Sequence, residues 1–174
     1  MDNKITIRNV SPNDLNSIVR IVVDGWKTAY KGIMKQDFLD AMTYESRIPG
    51  FQKLLNDENY RRLWFVAETD NGEILGFVSG GKSRDADSVY DGELYAIYVR
   101  AEHQGNGFGA QLMRHLMNHL TQEKFNAMKL WVLTDNQPSR RFYERMNGAL
   151  TDQTQQREFG GEKLLEVAYA WPLT

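Results

Sequence analysis

Gln104-Gly105-Asn106-Gly107-Phe108-Gly109 follows an apolar run, Leu94-Tyr95-Ala96-Ile97-Tyr98-Val99, that reads as a strand, and it leads into a helical pattern with Leu112, Leu116 and Leu120 on one stripe. A glycine-rich turn between strand and helix aims several backbone N–H groups at one point, where the helix dipole adds partial positive charge, so this turn suits a phosphate. Its G-x-G-x-G spacing lacks the final x-x-G step of the dinucleotide fingerprint and the Gly-Lys-Ser/Thr ending of a P-loop, which weakens both nucleotide readings. A turn that merely connects two elements is the alternative.

Upstream, Lys4-Ile5-Thr6-Ile7-Arg8 alternates as an edge strand, and Ser11-Pro12-Asn13-Asp14 starts a helix that runs to about Tyr30. The stretch from Gln36 to Asn56 predicts two short helical pieces broken at Pro49-Gly50. Residues 63–67 and 74–78 are β-rich and flank Asp70-Asn71-Gly72, a strong hairpin signal. Downstream, 127–133 is a fifth strand, Pro138 opens a further helix, Asn147-Gly148 tolerates the left-handed conformation that ends it, and Gly160-Gly161 turns a final strand pair. That order predicts a mixed α/β or α+β sheet domain.

The length of 174 residues, with 41 % hydrophobic and 25 % charged positions, predicts one domain over 1–174. Twenty-one Lys plus Arg against 23 Asp plus Glu leave a formal net charge of −2, too balanced for a nucleic-acid partner. No apolar run approaches the ~18 to 20 residues of a transmembrane helix, and MDNKITIRNV lacks the apolar core of a signal peptide, so a cytoplasmic protein with no membrane partner is expected. With no cysteine there is no disulfide, thiolate metal site or cysteine nucleophile.

Gln104 to Gly109 resembles, at every fixed position, the Q/R-x-x-G-x-G/A signature of the GCN5-related N-acetyltransferases (GNAT), and Asn136-Gln137-Pro138-Ser139-Arg140-Arg141-Phe142-Tyr143 resembles that family's Asn-x-x-Ala-x-x-Phe-Tyr segment, with Ser139 in place of alanine. Met146-Asn147-Gly148-Ala149 stands where many members have Gly-Phe. The resemblance implies the acyl-CoA N-acyltransferase fold: a mixed, mostly antiparallel sheet splayed between strands four and five, flanked by helices. It further implies acetyl-CoA as co-substrate without a metal, its pyrophosphate held by the amides of Gln104, Gly105, Asn106, Gly107, Phe108 and Gly109. The coenzyme arm would lie along the backbone of Ile97, Tyr98 and Val99, with Asn136 and Ser139 beside it. The acceptor implied is the primary amine of a small molecule or peptide, and the resemblance also allows a homodimer.

The chemistry asks for a proton acceptor, because an amine of pKa near 10 is cationic at pH 7 and three pKa units correspond to about 4 kcal/mol. Glu93 stands where one branch of the family carries its general base, and a period of two would put it on one face with Tyr95, Ile97 and Val99. Strand five offers only Trp131 and Val132 at the position where other members carry the base, while Asp87, Asp91 and Glu68 are substitutes. The leaving thiolate asks for a donor, and Tyr143 fits by resemblance. Trp26 and Tyr30, four apart on the first helix, are candidates for the acceptor wall. A binding-only acyl-CoA module of the same fold is the other reading, and an ATP- or NAD-binding enzyme a third. His115 and His119 read as exposed surface residues rather than a metal pair, Met113, Met117, Met128 and Met146 as core filler, and Arg61-Arg62 and Arg140-Arg141 as solvated pairs.

Overall fold

In the computed structural model, which describes residues 5–85 and 89–173, Trp64 and Val66 pack into one apolar cluster while Phe65 and Ala67 pack into another, the alternation of a strand covered on both faces. They belong to β2 (Trp64–Thr69), one of seven strands with β1 (Ile5–Asn9), β3 (Ile74–Lys82), β4 (Gly92–Val99), β5 (Ala127–Leu133), β6 (Ala149–Phe159) and β7 (Glu162–Pro172). The sheet order is β1-β2-β3-β4-β5-β7-β6. Neighbours are antiparallel except β4 and β5, which run parallel and pair only at Gly92↔Met128 and Glu93↔Lys129. Beyond Glu93 the two strands part. This is the expected splayed, mostly antiparallel sheet.

On one face lie α1 (Leu15–Ala29), α2 (Gln36–Asp40), α3 (Tyr44–Asn56) and α4 (Glu58–Arg61); Ile18, Ile21 and Val22 of α1 meet Trp64, Val66 and Phe77. On the other lie α5 (Phe108–Gln122) and α6 (Gln137–Arg145), where Leu112, Met113, Leu116 and Leu120 meet Phe65, Val78, Leu94 and Leu130. Each such fully buried leucine contributes about 2 kcal/mol of transfer free energy. Gly80 permits the close approach of α5 to β3, since a Cβ there would sit 2.8 Å from both the Glu93 carbonyl oxygen and a Leu116 methyl. The methionines are core filler as expected: Met113 and Met128 are fully buried, and Met117 and Met146 pack against the same cluster.

Pro49-Gly50 does not break the second helical stretch; both residues lie inside α3. The break falls instead before Thr43, whose Oγ1 accepts from the Ser46 N–H at 3.1 Å while the Thr43 N–H donates to Ser46 Oγ at 3.2 Å. This reciprocal cap fixes where α3 begins, and the sixth position of a helix is early enough for proline to forfeit a single backbone bond.

A second correction concerns β4. Its register on β3 runs Ser79↔Ala96 and then Gly80↔Leu94, so Tyr95 is an extra residue, a β-bulge. The bulge flips the alternation: Leu94, not Glu93, shares the α5 face with Ile97 and Val99, while Ala96 and Tyr98 face α1.

Candidate active site

The parting of β4 and β5 leaves the edge of β4 from Leu94 to Val99 without a strand partner on that side. A cavity of about 510 Å³ occupies the gap, a size ordinary for small-ligand sites. Ile97, Tyr98 and Val99 line it from β4, and Gln104 and Gly105 close one end. Gln104 Nε2 donates to the Val99 carbonyl oxygen at 3.1 Å, which ties the turn to the strand. Gly105 and Gly107 take φ values of +81° and +82°, a left-handed conformation that turns the chain into α5. Among the described residues the N–H groups of Gly107, Phe108, Gly109 and Ala110 have no backbone acceptor, so four donors are available at the positive end of a fifteen-residue helix. Asn106, Gly107, Phe108 and Gly109 thus form the head of α5, outside the cavity lining itself.

The opposite wall is α6. Asn136, 3 % exposed, caps it by accepting from the Ser139 N–H through Oδ1 at 3.3 Å; both residues line the cavity, and the Asn136 amide nitrogen takes no protein acceptor among the described residues. One turn on, the Tyr143 ring packs edge-on against Trp171 and beside Tyr169, centroids 6.2 Å from each, and lines the cavity with a hydroxyl that takes no protein hydrogen bond among the described residues. Burial, with the nearby Tyr30 adding to it, pushes the Tyr143 phenol well above its ordinary value, so it stays protonated at neutral pH. Arg140 and Glu144 hold α6 in place: Tyr169 donates to Glu144 Oε1 at 2.6 Å, and Arg140 donates to the Tyr169 hydroxyl and the Thr134 carbonyl oxygen. Arg140 is therefore no freely solvated residue, and neither is Arg61, bonded to the Leu55 carbonyl oxygen, whereas Arg62 is exposed as expected and pairs with Glu123 at the surface.

Tyr30, at the end of α1, lines the cavity, whereas Trp26 does not. Trp26 stands behind Tyr30 at 4.9 Å between centroids, within an aromatic group that includes Phe38 and Phe159, and supports the wall rather than forming it. Tyr98 is half-buried beside Tyr30 and the Trp26 indole, and desolvation lifts its pKa most, with Tyr30 next.

Glu93 is placed at the vertex of the splay but not in the cavity lining. It is 1 % exposed, and both carboxylate oxygens are engaged: Oε2 accepts from the Arg84 N–H at 2.8 Å and Oε1 from the Arg84 guanidinium at 3.0 and 2.5 Å. Its neighbour across the vertex, Lys129, is equally buried and paired with Asp85, which also accepts from the Trp131 indole at 3.1 Å. Of the substitute carboxylates, Asp91 accepts from the Asn126 and Ala127 N–H groups, Glu68 pairs with Arg8 on β1, and Asp87 lies outside the described residues. The carboxylate that does line the cavity is Glu166 of β7, 5 % exposed, opposite Leu133 of β5. The signal for it lay in Leu164-Leu165-Glu166-Val167-Ala168, one acid in an otherwise apolar run of five residues. His115 and His119 are not the exposed pair expected: each packs 4.6 Å from the Phe65 ring, and burial lowers the pKa of His115.

The sequence matches the profile of the Acetyltransferase (GNAT) family over residues 26–149. It is 33 % identical over 168 residues to the uncharacterized N-acetyltransferase YuaI of Bacillus subtilis, covering 97 % of this chain and 93 % of that protein. It is 22 % identical over 170 residues to a spermidine N(1)-acetyltransferase of Thermoplasma acidophilum, covering 93 % of this chain and 98 % of that one. Among solved structures, the PaiA N-acetyltransferase of Thermoplasma acidophilum in complex with coenzyme A superposes with a TM-score of 0.72 at 20 % identity, over 94 % of this chain and 98 % of the other. With a family profile spanning most of its length, a relative a third identical from end to end, and a sheet splayed around a glycine-turn cavity, this chain belongs to the GNAT family and is an acetyl-CoA-dependent acetyltransferase.

Proposed function

We propose that this enzyme moves the acetyl group of acetyl-CoA directly to a primary amine of a small molecule or peptide. The observation that carries the reading is the unpartnered edge of β4, which leads from the free N–H groups at the head of α5 to the open hydroxyl of Tyr143. In this reading the N–H groups of the turn receive the pyrophosphate, and the Asn136 amide and the strand edge receive the pantetheine arm as an added strand would be received. The thioester then lies near Tyr143. Attack by the amine nitrogen forms the C–N bond, and the C–S bond breaks as Tyr143 donates its proton to sulfur. The desolvation that keeps the phenol protonated also raises the proton affinity of a thiolate in the same cavity, so the donor and the leaving group shift together. The spermidine-acetylating relative supports an amine as acceptor, and the absence of cysteine suits transfer with no acyl-enzyme.

A thiol-release assay with acetyl-CoA, run across polyamines, amino acids, aminoglycosides and peptide N-termini, tests the proposal. Saturable release with at least one amine is expected. Coenzyme A binding without release for any amine would leave a binding-only module.

A further inference from the structure

Acetyl transfer to an amine that arrives as an ammonium asks for a proton acceptor, and the Glu93 carboxylate does not line the cavity. The geometry points to Glu166 as the carboxylate that receives the acceptor's ammonium and takes its proton, an assignment that rests on the acetyltransferase reading above. Glu166 and Arg145 are the two ionic side chains lining the cavity among the described residues, so Glu166 supplies its sole negative wall. Glu166 Oε2 is fixed by the Gln155 amide of β6 at 2.7 Å, which orients the carboxylate, while Oε1 has no protein partner among the described residues. A carboxylate 5 % exposed, held through one oxygen by a neutral amide and open to a cavity through the other, is an arrangement that a bound cation completes.

The cavity it lines is the one that holds the proposed donor: Tyr30, Tyr143 and Glu166 all stand in its wall. Glu166 also acts electrostatically on the Tyr30 phenol, which in turn acts on that of Tyr143. Glu166 therefore shares one cavity with the phenol assigned to the leaving sulfur. Gln155 of β6 is bonded to it, Tyr30 at the end of α1 and Arg145 of α6 line the same cavity, and Arg157 of β6 acts on the same Tyr30 phenol. The proton balance closes. Glu166 removes one proton from the ammonium, the neutral nitrogen attacks the thioester carbon, and the C–S electron pair takes the Tyr143 proton. The N–H proton shed as the amide forms returns to Tyr143, and the Glu166 proton leaves to water. The acceptor class implied is an aliphatic amine that enters as a cation.

Two nucleophiles separate this role from a structural one: n-butylamine, cationic at pH 7, and methoxyamine, already neutral there. Glu166→Gln is expected to lower kcat/KM for n-butylamine about 100-fold and for methoxyamine less than threefold, with Glu166→Asp recovering part of the loss and the KM for acetyl-CoA unchanged. Equal losses with both amines, no loss, or the selective loss appearing in Glu93→Gln instead would overturn it. Calorimetric titration of n-butylammonium onto the coenzyme A complex reads the same site without turnover. Binding at least tenfold weaker in Glu166→Gln is expected, and equal binding, or none to the wild type, refutes the assignment. A wild type that binds the cation through Glu166 yet acetylates no amine would refute the transferase proposal alone.

Discussion

Gly107 and Gly109 offer a controlled perturbation of the turn, because the same substitution two residues apart meets opposite constraints. At Gly107 a Cβ has nothing within 4 Å, so the whole cost of Gly107→Ala comes from φ = +82°. Holding an L-residue in that left-handed region costs about 1–2 kcal/mol, which for a domain of this length is a fall in Tm of roughly 3–6 °C. If the strained turn relaxes when empty, ligand binding must restore it, and the same 1–2 kcal/mol becomes a 5- to 30-fold weaker coenzyme A Kd, roughly, at 1.4 kcal/mol per decade. At Gly109 the added Cβ meets the Phe142 ring at 3.5 Å and a Val99 methyl at 3.7 Å, ordinary contacts, and alanine is the better helix former by up to about 1 kcal/mol. Gly109→Ala should hold or raise Tm and keep Kd within twofold. Thermal unfolding and calorimetric titration with coenzyme A read both quantities. Indistinguishable Tm and Kd for the two variants would refute the conformational argument.

Tyr143→Phe should cut turnover about 100-fold while leaving coenzyme A affinity within twofold, since only the proton donor is lost; stopped-time thiol release and titration decide it, and undiminished turnover removes the phenol from the mechanism. Asp91→Ala should destabilise the fold by about 2 kcal/mol, because its carboxylate accepts three hydrogen bonds from Asn126 and one from Ala127 where β5 begins. Burial alone would raise the Asp91 pKa, but those backbone and side-chain donors bring it below its ordinary value, so its contribution is full above about pH 4 and fades as pH falls through the lower folded value. Urea melts from pH 7 to pH 3 should therefore show wild type and Asp91→Ala converging at the acid end, and a constant gap would count against the assignment.

What could be read from the chain was local. Asn71-Gly72 gives the hairpin of β2 and β3, and the spacing of glycines with Asn136 and Tyr143 gives the cavity's two ends. What escaped was set by register and by distant pairing. Glu93 looked cavity-facing because a period of two carries it there, and one extra residue at Tyr95 reverses that. Glu166 escaped because its place depends on β7 inserting between β5 and β6, a pairing no nearby residue announces. Trp26 and Tyr30 share a helix face, yet only the one at the helix end reaches the cavity. Pro49 read as a stop because proline usually is one, while Thr43 and Ser46 had already set the helix start.

Among the described residues two pairs join β4 to β5, so the sheet divides into two leaves, one of four strands and one of three, that meet at Gly92 and Glu93. A substrate arm laid along β4 would supply the rungs that the backbone omits. Acetyl-CoA would then be a temporary part of the sheet, bridging the two leaves along an edge that the protein's own strands leave unpaired.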